Sequence, residues 1–233
     1  MPISSDAGTS APRSAGAAAS RHMMRIHLLM SAGITVSALA AQLIASNAAL
    51  HGILITTYGL TGAGWAVLLA PLLLVMTVST RVRRISVDTA RELFVLHAVL
   101  MGLSLGTVTY VATGQSLGPT LLAAAGAFGL LAMLGWASCA DFSPFGTFLT
   151  LALFALVLLL ALNLAFTAKP LDILLSGGAI VLFAALTGFD VPRLRRLHRD
   201  GDVKTASVGA LTLYLDFVNM FLSLLRFTGR ARR

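Results

Sequence analysis

Asp216 is the sole Asp, Glu, Lys or Arg between Lys204 and Arg226, in a stretch otherwise apolar enough to cross a bilayer. Holding its charge in hydrocarbon costs on the order of 3 kcal/mol or more, so the side chain must face protein or water. An intramembrane carboxylate of this kind marks a proton or ion pathway by default. Thr205, Gly209, Thr212, Asp216, Asn219 and Ser223 recur at alternating spacings of four and three, which gathers them on one stripe of a helix. The other face is Leu, Val, Phe and Met. Such a stripe either lines a polar cavity or forms a hydrogen-bonded seam between helices. A carboxylate is a poor choice for a seam alone, which favours the cavity.

Asp190 closes the preceding apolar segment, just before Val191, Pro192 and a basic loop. By itself it reads as an interfacial acid near Arg193. Beside Asp216 it would mean more, because two carboxylates in a low-dielectric site cannot both ionise cheaply and would titrate as a unit. Such a pair is a proton sensor. Asp216 lies twelve residues beyond Lys204, about 18 Å along a helix. Bringing the two acids level therefore requires the last helix to begin well toward the basic loop.

Other chemistry has little support. Gly102, Ser104 and Gly106 satisfy the G-x-S-x-G spacing of hydrolases, but that motif needs a strand, a sharp turn and a helix, and here it falls within a helical span. His97 is flanked by apolar residues and reads as a hydrogen-bonded packing residue. There is no HExxH, phosphate loop or Cys/His cluster. Cys139 is the single cysteine, which excludes an internal disulfide. We therefore expect no enzyme activity and no resident cofactor.

The elements that must position these acids follow from composition. The chain is 57% apolar and 11% charged, about half the charge of a soluble domain. No charged side chain occurs from Ile26 to Thr80, from Leu93 to Ala140 or from Phe142 to Ala168. Spans of about 20 apolar residues are predicted near 28–46, 60–80, 93–112, 117–140, 145–168, 173–189 and 206–225. The fold class is thus an all-α integral membrane protein. Its net charge of +8 lies in short clusters between spans, which points to membrane topology and away from nucleic acid.

Arg13, Arg21 and Arg25 precede the first span, Arg81, Arg83, Arg84 and Arg91 follow the second, and Arg193, Arg195, Arg196, Arg199 and Lys204 follow the sixth. The alternate loops hold only Lys169, so the N-terminus is expected in the cytoplasm. Arg226, Arg230, Arg232 and Arg233 oppose that rule if the last helix crosses completely. It either spans despite the rule or enters without crossing. Residues 1–25 read as a disordered cytoplasmic tail rich in Ala, Ser, Gly and Pro, 26–228 as the membrane domain and 229–233 as a basic C-terminal tail. Gly102 with Gly106, Gly126 with Gly129, and Gly177 with Gly178 are expected at close helix contacts.

Specific words in the chain carry the reading further. The run from Gly209 through Tyr214, Asp216 and Asn219 to Leu222 resembles the C-terminal signature of the Bax inhibitor-1, or transmembrane Bax-inhibitor-motif, family, here of bacterial type. Leu100 to Leu105, Asp141 to Ser143, Leu162 to Phe166 and Phe183 to Asp190 are similar to further family segments.

The resemblance implies a seven-helix bundle with six helices wrapped around a central C-terminal helix, and a pH-sensitive calcium leak controlled by a pair of aspartates. Asp190 and Asp216 occupy the matching positions. They would also contact calcium weakly and transiently as the transported ion, with Thr212, Asn219 and Ser223 in support. A basic latch is implied at the end of the second helix, where Arg81, Arg83 and Arg84 are the candidates. Two departures stand out. Family members commonly continue Asp-Thr-Gln where this chain has Asp190-Val191-Pro192, and Pro192 is expected to disrupt regular helix. The second span also lacks the glutamate of certain members. An alternative is a non-conducting regulator that binds another membrane protein, such as a quality-control protease. The expected location is a bacterial inner membrane.

Overall fold

The computed structural model describes residues 10–81, 85–111, 117–137, 143–166, 169–196 and 203–230. Eight α-helices occur among them: α1 (Ser10–Ser46), α2 (Ala48–Leu54), α3 (Gly62–Arg81), α4 (Val87–Val111), α5 (Leu117–Ala137), α6 (Gly146–Phe166), α7 (Lys169–Arg196) and α8 (Val203–Arg230). Six helices have stretches long and apolar enough to cross a membrane: Ala18–Ser46, Val87–Val108, Thr120–Ala137, Gly146–Asn163, Pro170–Arg196 and Thr205–Thr228. The apolar part of α3, Gly62–Val78, is shorter. Cys139, Asp141, Arg83, Arg84 and Arg199 lie outside the described residues.

Three features differ from the sequence reading. Residues 10–25, expected as tail, form the start of α1. Ala17, Ala18 and Ala19 favour helix, and Ala19, His22 and Met23 are buried. Between α1 and α3 stand α2 and a hairpin in which β1 (Ile55–Thr56) pairs antiparallel with β2 (Gly59–Leu60). Gly59 takes φ 122° there, a conformation that favours glycine. Finally, α7 runs through Pro192 to Arg196. Proline removes the amide that would bond the Gly188 carbonyl, and α5 passes close to that carbonyl where Gly135 has no side chain.

Local signals set several helix starts. Asn47 accepts from the amides of Ala49 and Leu50 at the head of α2, Thr61 from Gly64 at the head of α3, and Ser86 from Thr89 at the head of α4. Each satisfies an amide that a helix leaves without an internal partner.

The most buried span is α8, whose principal neighbours are α1, α4, α5 and α7. The face opposite its polar stripe is also covered: Leu213, Tyr214, Phe217, Val218, Met220 and Phe221 are all buried. Phe94 and Phe128 meet Tyr214 and Phe217 edge-on, with ring centroids 5.8 and 5.7 Å apart. Helix α3 packs on α4, and α6 on α7. Glycines bring α4 onto α1, since a methyl group on Gly102 would collide with the Ser37 carbonyl and one on Gly106 would lie 2.8 Å from Ile44 Cβ. Gly126, Gly129 and Gly178 make no such contact: a methyl group there meets nothing within 4 Å. Those three glycines face outward, so small size alone did not locate an interface.

Candidate functional site

Five helices line a half-open cavity of about 470 Å³. Its polar lining is His97 and Ser104 from α4, Asp190 from α7, and Thr212, Asp216 and Asn219 from α8. Leu68, Pro71 and Leu72 of α3 and Leu153 and Val157 of α6 supply apolar wall. The two acids singled out by sequence therefore share one chamber, together with part of the predicted stripe. Ser223 is buried on the same helix but outside the lining.

The neutral members of the stripe are satisfied locally. Thr212 donates to the Val208 carbonyl at 3.0 Å, Asn219 to Leu215 at 2.8 Å and Ser223 to Asn219 at 2.7 Å, each one turn back along α8. These bonds fix the side chains against the helix and leave the carbonyl oxygen of the Asn219 amide and the second lone pairs of Thr212 as acceptors.

Asp216 is different. It is 5% exposed, and its Oδ2 has no hydrogen-bond partner among the described residues. Asp216 thus brings a buried carboxyl to the chamber lining, with one oxygen that no described residue satisfies. Asp190 is similarly buried and close enough for its charge to act on Asp216. Its Oδ1 lies 3.7 Å from Nη1 of Arg193, one turn along α7. The sequence reading placed Arg193 near Asp190 but sought the controlling cation at the end of the second span. Arg83 and Arg84 lie outside the described residues, and the Arg81 side chain is not described. Among the described residues Arg193 is the cation paired with Asp190, and the three-residue spacing was its signal.

Two further polar groups bear on the chamber. His97 is 1% exposed, with the Pro71 carbonyl as a polar group near its ring. The expected packing histidine is thus buried. Its ring meets Tyr214 edge-on at 5.7 Å. The Tyr214 hydroxyl lies 2.6 Å from Ser37 Oγ, which itself donates to the carbonyls of Ala98 and Gly33 at 2.7 and 3.0 Å. Carbonyls can only accept, so Tyr214 donates to Ser37. This junction ties α1, α4 and α8 together behind Asp216. Sequence reasoning passed over Tyr214 because it lies off the stripe.

Ser104, the serine of the G-x-S-x-G spacing, sits inside α4 and donates to the carbonyl of Val67 at 2.8 Å. Pro71 deprives that carbonyl of its helical amide. The serine is thus committed to helix packing. Among the described residues no three His, Cys, Asp or Glu side chains gather as a metal-holding group. A cation in the chamber would meet two carboxyls and neutral oxygens.

Comparison with known proteins bears on this arrangement. The family described as inhibitor of apoptosis-promoting Bax1 matches residues 19–233. The chain is 32% identical over 219 residues to the inner membrane protein YbhL of Escherichia coli strain K12, covering 91% of this chain and 92% of that one. It is 34% identical over 208 residues to an uncharacterized protein of Deinococcus radiodurans, covering 87% of each. An uncharacterized protein of Borreliella burgdorferi is 30% identical over 218 residues, covering 91% of this chain and 93% of its own length.

Proposed function

Since the chain belongs to the Bax inhibitor-1 family of membrane proteins, we propose that it is a pH-sensitive cation leak in a bacterial inner membrane, with calcium as the permeating ion. The N-terminus is cytoplasmic in this reading, and α8 is the helix about which the other spans gather. The observation that carries it is the buried Asp216 carboxyl, whose Oδ2 has no partner among the described residues, in the lining of a cavity shared with Asp190, Thr212 and Asn219. A buried polar atom without a partner costs about 1–3 kcal/mol, more when charged. A proton, water or a passing cation removes that cost.

Calcium takes six to eight oxygen ligands. Asp216, Asp190, the Asn219 carbonyl and water offer a weak set, which suits conduction because an ion must also leave. Arg193 supplies the pH link. While Asp190 is ionised it attracts the guanidinium; as pH falls and Asp190 takes a proton, that attraction is lost and the end of α7 loosens. Leakage thus rises with acidity.

The test is passive calcium entry into liposomes containing the purified protein, followed with a trapped calcium dye from neutral to acid pH. Entry above protein-free liposomes, rising toward acid pH, is expected. Entry equal to that of empty liposomes at every pH would remove the leak and leave the non-conducting regulator as the reading to pursue.

A further inference from the structure

A second concavity lies on the outer surface, between the C-terminal end of α5, the N-terminal end of α6 and the C-terminal half of α7. It measures about 670 Å³. Ala184, Ala185 and Gly188 leave it open, and Leu134 and Phe148 stand exposed along it. Every lining residue is apolar. A ligand held there must be apolar along its length, and the volume falls in the range of roughly 300–1,000 Å³ that suits a small molecule or a chain rather than a whole helix.

One end of the groove is cationic. The Arg193 guanidinium sits 5.8 Å from the ring centre of Phe189, a groove residue, and its side chain is 63% exposed. Arg196 is exposed three residues on, along the same face of α7. Asp190, buried and 3.7 Å from Arg193, lies on the cavity side. An apolar slot that ends beside the exposed Arg193 guanidinium, with Arg196 one turn further along α7, matches a molecule with a hydrocarbon chain and an anionic head. The bilayer around the helices supplies such a molecule.

We propose that this groove is a binding site for an anionic phospholipid, with an acyl chain between α5, α6 and α7 and the phosphate on Arg193 and Arg196. The site is independent of whether the chamber around Asp216 conducts. Native mass spectrometry of the purified protein tests it, using phosphatidylglycerol and phosphatidylcholine with identical acyl chains. Wild type should retain phosphatidylglycerol in preference, by about fivefold for each arginine engaged. Arg193→Gln should lower the preference about fivefold. Gly188→Leu should reduce retention of both lipids, because a Cβ at Gly188 meets nothing within 4 Å and the longer side chain can enter the groove without displacing backbone. Equal retention of the two lipids by wild type, an unchanged preference in Arg193→Gln, or a lipid-free dimer in which a second copy covers the groove would overturn the proposal.

Discussion

Ser104 of α4 donates to the carbonyl of Val67 in α3, which Pro71 leaves without its own amide. The bond couples the two helices at a defect in one of them. Ser104→Ala should therefore cost about 1–2 kcal/mol in thermal unfolding in detergent. Pro71→Ala returns an amide to Val67, so the serine substitution should cost clearly less in that background. Equal losses in both backgrounds would contradict the assignment.

The glycines should divide by location. Gly102→Ala forces a methyl group onto the Ser37 carbonyl and Ala40, and overpacking of this kind costs roughly 1–3 kcal/mol. Gly126→Ala and Gly129→Ala place theirs in open space and should be neutral or stabilising by up to about 1 kcal/mol, from helix propensity. Melting temperatures of the three variants in one detergent decide between this division and a shared packing role.

Much of this was legible in the chain, for physical reasons. Charge-free runs located six of the seven expected spans because hydrocarbon excludes charge, the run at 60–80 giving a shorter apolar helix, and the alternating spacing of four and three located the stripe because helical periodicity is local. Relations between distant helices were hidden. Nothing near Ser104 announces Pro71, 33 positions earlier. Tyr214 looks lipid-facing until α1 and α4 are seen to cover it. The hairpin at 55–60 was missed because two-residue strands carry too little periodicity to register.

Arg195 donates to the Trp136 carbonyl at 2.7 Å in the last turn of α5, and its guanidinium lies 5.0 Å from the Trp136 ring centre. The cation satisfies a carbonyl that the helix end leaves open and stacks on the aromatic face. Arg195→Ala should destabilise by about 1–2 kcal/mol, and Arg195→Lys should recover part of the loss. Full recovery by lysine would mean that charge alone matters.

The Arg193–Asp190 pair should weigh on pH response more than on stability. Arg193 is largely exposed, so Arg193→Gln should change stability by less than about 1 kcal/mol. The pair attracts while Asp190 is ionised and ceases to do so as pH falls. Arg193→Gln and Asp190→Asn should both flatten the rise of calcium leakage toward acid pH, with Asp190→Asn leaking at neutral pH as wild type does in acid. A full wild-type pH profile in either variant would remove Arg193 from the control of leakage.

The central claim is that Asp216 faces the ion path, and its most direct measurement is calcium flux through purified wild type and Asp216→Asn in matched proteoliposomes. Asparagine keeps the size and hydrogen-bonding capacity but withdraws the charge. The account predicts a fall of about tenfold or more at every pH, in line with loss of a charged partner worth about 1.5–3 kcal/mol, with the protein still folded by its melting temperature. Equal flux through the two proteins from neutral to acid pH would contradict it.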